Sequence, residues 1–179
     1  RNMIYLTVST GIGAGIIIDG EIYRGFTFRA GEVGHMVLAP DGPLCSCGNR
    51  GCLEAFASGT SIAKRAMEAM DKGLPTSMTG RVDARMVAAA ARGGDLLAKD
   101  ILAWAFCYLS MGIGNLLNIF DPELIIIGGG LSAMGDQLLI PVREGIVQYA
   151  WLREKARERV VLSKLGQDIG LIGAASLVL

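Results

Sequence analysis

Charge of either sign in excess is missing from this chain. Its 179 residues carry 17 Lys plus Arg against 17 Asp plus Glu, a formal net charge of zero at pH 7. No basic stripe alternates with aromatics, so the electrostatic footprint of nucleic-acid binding is absent. Long apolar runs are missing too. Apolar residues make up 51% of the chain and the mean hydropathy is +0.44. Yet the longest unbroken run, Ile101 to Leu109, covers nine residues, too short to span a bilayer. No charged-then-apolar signal sequence opens the chain, and no internal repeat or low-complexity segment interrupts it. The first residues, "RNMIYLTVSTG", run directly into strand-like sequence, as in an excised piece. The length allows one large domain, or a lobe of something bigger.

What the sequence does have is concentrated. The stretch "GHMVLAPDGPLCSCGNRGCLE", Gly34 to Glu54, holds three of the four cysteines and the only histidine within 21 residues. Its order is His35, nine residues, Cys45-x-Cys47, four residues, Cys52. Three thiolates and one imidazole are the ligand set of a structural zinc site, and Gly48 and Gly51 let the backbone turn tightly enough to gather the sulfurs. Disulfides are the weaker account, because C-x-C closes a poor loop and an intracellular setting keeps thiols reduced. The redox spacing C-x-x-C is not present in this loop. Cys107, inside "AWAFCYL", is expected to be a buried small hydrophobe.

Residues 3–9 alternate and are rich in β-branched and aromatic types, so they predict a strand. Residues 14–18 and 21–24 predict two more, joined by Asp19-Gly20, the strongest short hairpin signal. Helices are expected over 59–72, with Ser58 or Thr60 as cap, over 83–92, and over 95–119 capped by Asp95. The last of these is apolar nearly all round and is expected to be buried. Residues 74–81 read as a loop. "ELIIIGGG", Glu123 to Gly130, reads as a buried parallel strand ending in a glycine turn. A helix over 133–150, a strand over 159–163 and an apolar helix from Gly170 complete the order.

Two glycine turns carry possible chemistry. "STGIGAGIIIDG" contains Gly11, Gly13 and Gly15, but it passes from strand to strand, whereas a dinucleotide fingerprint passes from strand to helix. A hairpin turn with exposed N–H groups still cradles a phosphate, with Ser9 and Thr10 hydroxyls as further donors. The plainer alternative is glycines that only permit a tight turn. "IIIGGGLS" supplies a second turn at the end of a buried strand, where the bare backbone of Gly128, Gly129 and Gly130 admits a flat base. Two such turns on one sheet suggest the two ends of a nucleotide. Carboxylates flank the metal loop: Glu32 lies three residues before His35, and Glu54 two after Cys52. Alone each reads as a solvated acid; together they suit a polyol, whose hydroxyls need fixed acceptors. His35 can ligate through one ring nitrogen and donate from the other.

Put together, "VSTGIGAGIIIDGEIYRGFTFRAGEVGH" (Val8 to His35) and "CSCGNRGCLE" (Cys45 to Glu54) resemble the ROK family of sugar kinases and related repressors. The second stretch looks like the family's CxCGxxGCxE zinc motif without departure, and "IIIGGGLS" looks like its adenosine motif. "YLTVSTGIGAGIIIDG" is closest to bacterial glucokinase-type members. The resemblance covers essentially the whole chain. It implies an α/β fold of the actin/hexokinase-like ATPase (ribonuclease H-like) type: a mixed sheet of three antiparallel strands and then parallel ones, flanked by helices. It assigns zinc to His35, Cys45, Cys47 and Cys52, and sugar hydroxyls to Glu32, His35 and Glu54. ATP phosphates fall to Thr10, Gly11 and Gly13, and adenosine to Gly129 and Gly130. Implied with these are structural Zn2+, ATP with Mg2+, a hexose or N-acetylhexosamine substrate, a cytoplasmic setting and a homodimer or homotetramer.

One departure is large. ROK kinases begin with another lobe, which carries a DxGGT-like phosphate loop and an Asn-Asp pair whose aspartate is the catalytic base. Neither is matched here; "FDPE" (Phe120 to Glu123) has an aspartate without that context. Residues 1–179, with the zinc loop at 35–54, therefore resemble the C-terminal lobe, and the chain alone is expected to be inactive. The parent is expected to be an ATP-dependent hexose kinase. The alternative is a sugar-sensing ROK repressor, which would meet nucleic acid through an N-terminal helix-turn-helix, and a weaker one is a zinc-stapled oligomerisation module. The intact "STGIG" and "GGGLS" favour the kinase.

Overall fold

Every second residue of β1 (Met3–Val8) turns inward: Ile4, Leu6 and Val8 are at most 1% exposed. That period of two sets one face of a sheet against the core. A computed structural model describes residues 1–165, so the helix expected from Gly170 lies outside the described residues. β2 (Ile12–Ile18) and β3 (Glu21–Ile22) follow antiparallel, while β4 (Leu124–Gly128) and β5 (Val160–Leu162) add parallel strands on the other side. The order is β3-β2-β1-β4-β5, the mixed sheet expected. Asp19 (φ +54°) and Gly20 (φ +89°) form the β2–β3 turn, both at the positive φ that a two-residue hairpin of this type needs.

Helices α1 (Leu53–Ala57), α2 (Gly59–Asp71), α3 (Ala84–Arg92) and α4 (Leu96–Phe120) connect β1–β3 to β4, and α5 (Asp136–Tyr149) and α6 (Glu154–Glu158) connect β4 to β5. Three of them start on side chains of the right type. Ser58 accepts from Ser61 N–H, Asp83 from Met86 N–H and Asp95 from Ala98 N–H, each satisfying a backbone donor that the first turn leaves free. α4 packs against α1, α3 and α5, and its Leu109, Ile113 and Leu117 join Ile4, Leu6, Ile125, Ile127 and Val142 in one core. An 18-residue stretch of it reaches a mean hydropathy of 1.4, enough by composition to cross a bilayer. Here it is the core helix: half of that stretch is buried inside the fold, and the Ser110 hydroxyl donates to Phe106 O and Val142 O.

Phe56 of α1 stacks on Tyr108 of α4 with centroids 3.6 Å apart, Trp104 lies 5.1 Å from Phe56, and the Arg65 guanidinium sits 3.9 Å over Trp104. This cluster ties α1 and α2 to the core helix through aromatic and cation–π contact.

Several boundaries differ from the sequence reading. β2 begins at Ile12, paired with Val8, so Gly13 and Gly15 are strand residues and the turn is only Ser9–Gly11. β3 stops at Ile22 rather than continuing to Arg24. A 3-10 turn over Gly130–Met134 precedes α5, which starts at Asp136. α1 and α6 have five residues each, too few to show a helical period in the sequence. Cys107 is exposed, not buried, with its sulfur 3.4 Å from the Tyr149 hydroxyl. α4 is apolar on more faces than its neighbours cover, so Cys107 and Ile119 (68% exposed) are left outside.

Candidate metal centre and adjoining cleft

The loop after β3 has almost no regular structure, yet its backbone is closed on itself. Leu38 N–H donates to Gly51 O (2.8 Å), Gly51 N–H to Pro43 O (2.9 Å) and Cys45 N–H to Asn49 O (2.8 Å). Gly51 makes this possible, since it takes φ +71° and a Cβ there would stand 1.6 Å from Ala39 O. Within the loop the ligating atoms of His35, Cys45, Cys47 and Cys52 all lie within 4.8 Å of one another. His35 Nδ1 is 3.6 Å from Cys45 Sγ, and Cys47 Sγ is 3.7 Å from Cys52 Sγ. A tetrahedral ion with Zn–S about 2.3 Å and Zn–N about 2.0 Å puts its ligand atoms about 3.5–3.8 Å apart. The four side chains fit zinc in number, kind and spacing. Cys47 is exposed, and the Asn49 amide beside its sulfur holds its thiol below the usual range. Burial pushes the Cys52 thiol up to about 12, reinforced by its hydrogen bond with Cys47. A metal bound here must therefore displace the Cys52 proton.

The flanking carboxylates part ways. Glu32 Oε2 lies 3.8 Å from His35 Nε2, the ring nitrogen turned away from Cys45, so the imidazole bridges the sulfur cluster and an exposed carboxylate. Glu32 also lines a shallow groove of about 470 Å3 with Val33, Met36 and the end of α4. Glu54, in the first turn of α1, accepts Ile12 N–H at 2.9 Å and the Ser46 hydroxyl at 3.3 Å. It thus reaches the glycine hairpin rather than Glu32.

That hairpin opens onto a cleft of about 970 Å3. Ser9 and Thr10 form one wall, Gly130 and Leu131 the next, and the start of α2 the third. The two glycine turns meet: a Cβ on Gly129 would stand 2.6 Å from Val8 O, and one on Gly130 would stand 3.3 Å from Ser9 Oγ. Gly59 N–H, at the head of α2, donates to Ser9 O at 2.7 Å. The start of α2 and the Ser9 and Thr10 side chains therefore meet at one cleft, and a helix N-terminus favours an anion.

Of the predicted nucleotide residues, Thr10 and Gly130 line this cleft, while Gly11 and Gly129 shape its walls from behind. Gly13 does not belong to the turn; it pairs with Thr7 inside the sheet. Gly128 is not bare backbone for a base either, because a Cβ there would meet the Tyr5 hydroxyl at 1.7 Å. The sequence reading missed the cations that line the cleft, Lys64 of α2, Arg81 and Arg85 around the start of α3, and Arg92 at its end. Their signal is weak, since scattered Lys and Arg on helix surfaces usually face only water.

The sheet order and the helical connections are those of the actin/hexokinase-like fold. The ROK family model matches residues 1–179, and the chain belongs to the ROK family. It is 38% identical over 183 residues to the glucokinase of Thermotoga maritima, a match covering 99% of this chain and 58% of that protein. It is also 34% identical over 183 residues to a putative xylose repressor of Caldicellulosiruptor, covering 99% of this chain and 46% of that one. The crystal structure of a ROK family glucokinase from Streptomyces griseus, in complex with glucose and AMPPNP, superposes with TM-score 0.85 at 33% identity, over 98% of this chain and 60% of that one. The chain thus spans less than two thirds of the length of these relatives.

Proposed function

We propose that residues 1–179 form the C-terminal lobe of an ATP-dependent hexose kinase. The observation that carries this reading is the convergence of the Ser9–Gly11 turn, the α2 N-terminus and the Gly129–Gly130 turn on one cleft. In it Thr10 and the Gly11 backbone take the phosphates, with Gly13 holding the hairpin from within β2. Gly129 and Gly130 take the adenosine, and Lys64, Arg81 and Arg85 would join Mg2+ in balancing the negative charge of the polyphosphate. Zinc, held by His35, Cys45, Cys47 and Cys52, is a structural staple that supplies folding energy to the loop. Glu32, His35 and Glu54 on that loop accept or donate to hydroxyls of a hexose or N-acetylhexosamine.

Transfer of the γ-phosphoryl needs a carboxylate base in line with the sugar hydroxyl. The reading places that aspartate in a second lobe, which closes over this one, in a cytoplasmic enzyme that works as a homo-oligomer. The xylose repressor relative supports a second reading, a sugar-sensing effector lobe. Nucleotide separates the two. Titrating the zinc-loaded chain with AMPPNP and Mg2+ in a calorimeter should give saturable binding with one site. No detectable binding would turn the assignment toward the repressor.

A further inference from the structure

Both oxygens of the Glu54 carboxylate are held within the protein. Oε2 accepts Ile12 N–H at 2.9 Å, and Oε1 accepts the Ser46 hydroxyl at 3.3 Å. Ile12 is the first residue of β2, directly after the Ser9–Gly11 turn, and Ser46 sits between two of the four metal-loop ligands. One side chain thus joins the anion-favouring turn to the stapled loop. Gly11 admits it: a Cβ there would stand 2.5 Å from Oε2. Gly11 is not among the glycines at positive φ, so the reason for glycine is this approach rather than backbone freedom. Glu54 itself does not line the large cleft.

We infer that Glu54 is a positioning residue that couples the sugar loop to the phosphate turn. The inference rests on the reading of Glu54 as a hydroxyl acceptor and of the Ser9–Gly11 turn as a phosphate cradle. An ionised carboxylate has about four acceptor positions, so two internal bonds leave room for sugar hydroxyls without breaking the link. A bound sugar then fixes the carboxylate, the carboxylate fixes the Ile12 amide, and the turn is held ready for phosphate. Such coupling is reciprocal: sugar and nucleotide tighten each other by the same factor.

The test reads each substitution at the site to which it does not belong, in zinc-loaded protein. Glu54→Ala should speed hydrogen exchange of the Ile12 amide about tenfold or more and weaken AMPPNP binding by about tenfold, with zinc content unchanged. Glu54→Gln keeps a carbonyl acceptor for Ile12 N–H and should restore both readouts while still weakening glucose. Gly11→Ala pushes only the far end of a flexible side chain, so the fold persists. It should weaken glucose several-fold although Gly11 is assigned no sugar contact. An Ile12 amide that exchanges at the wild-type rate in Glu54→Ala would overturn the inference. So would unchanged AMPPNP affinity in that variant when wild type binds, an outcome that leaves the kinase reading standing. If wild type binds neither glucose nor AMPPNP, the kinase reading falls and the coupling with it, and faster Ile12 exchange would then leave Glu54 a purely internal tie.

Discussion

Cysteine position decides cysteine behaviour in this chain. Cys47 and Cys52 face each other across 3.7 Å within a four-donor cluster, whereas Cys107, on the outside of α4, meets the Tyr149 hydroxyl. Element analysis of purified protein should therefore find one zinc per chain. Cys47→Ser should lose it and lower the melting temperature, because structural zinc contributes folding energy directly. Cys107→Ser, a surface change, should shift stability by no more than about 0.5 kcal/mol. A zinc-free chain of unchanged stability would refute the staple. Because the Cys52 thiol sits at about 12, zinc uptake near neutral pH displaces its proton, and zinc affinity should fall as pH falls. Glu54 belongs to the same scale. In a protein that contains both lobes, Glu54→Ala should weaken sugar binding by about 1.5–3 kcal/mol, the value of a charge-assisted hydrogen bond, with zinc retained. Equal sugar affinity in mutant and wild type would return Glu54 to a purely internal role.

At the scale of elements, Asp95 does more than start a helix. Besides capping α4 at Ala98 N–H (2.9 Å), it accepts from Thr76 Oγ1 (2.7 Å), Ser77 N–H (2.5 Å) and Ser77 Oγ (2.8 Å), pinning the loop before α3. The Ser77 amide first, then the Ala98 amide, hold its carboxyl well below the usual carboxylate range. A depressed folded pKa contributes stability above the unfolded value of about 3.9 and loses it as pH falls toward the folded one. Asp95→Ala should cost about 1–2 kcal/mol at pH 7, and the gap to wild type should narrow below about pH 4, as thermal unfolding at the two pH values would show. Asp95 was legible as a cap because capping depends on a few adjacent residues. The clustering of the four candidate metal donors was legible for the same reason, with all four inside one loop. Gly13 was misplaced because hairpin register is set by pairing across strands, here Val8 with Ile12, and no local signal fixes it. Cys107 was misread because a helix apolar on every side has no period to show which side is covered. Arg81 and Arg85 reach the cleft only through the packing of α3, far from the turn in sequence.

At the scale of the whole molecule, the proposed kinase reading makes this chain one wall of a reaction cleft. Phosphoryl transfer requires base, phosphates and acceptor hydroxyl to converge in a closed site. The 179-residue chain, supplied with ATP, Mg2+ and glucose, mannose or N-acetylglucosamine, should show no sugar-dependent ADP release in a coupled assay. Turnover by the chain alone would mean that a base lies within it. Phe26, Phe28 and Trp151 are at least 78% exposed, apolar surface of the kind that another lobe or subunit covers.

The aromatic stack beside the metal loop also makes the chain its own optical instrument. Only two tryptophans are present. Trp151 is 88% exposed, so its emission should be red-shifted and open to iodide, while Trp104 is half-buried between Phe56 and Arg65. Phe56 shares its five-residue helix with Glu54, two positions away. With Trp151→Phe in place, the remaining fluorescence comes from a ring one contact removed from the stapled loop. Its wavelength and quenching should then follow zinc loss or sugar arrival in real time, without any label.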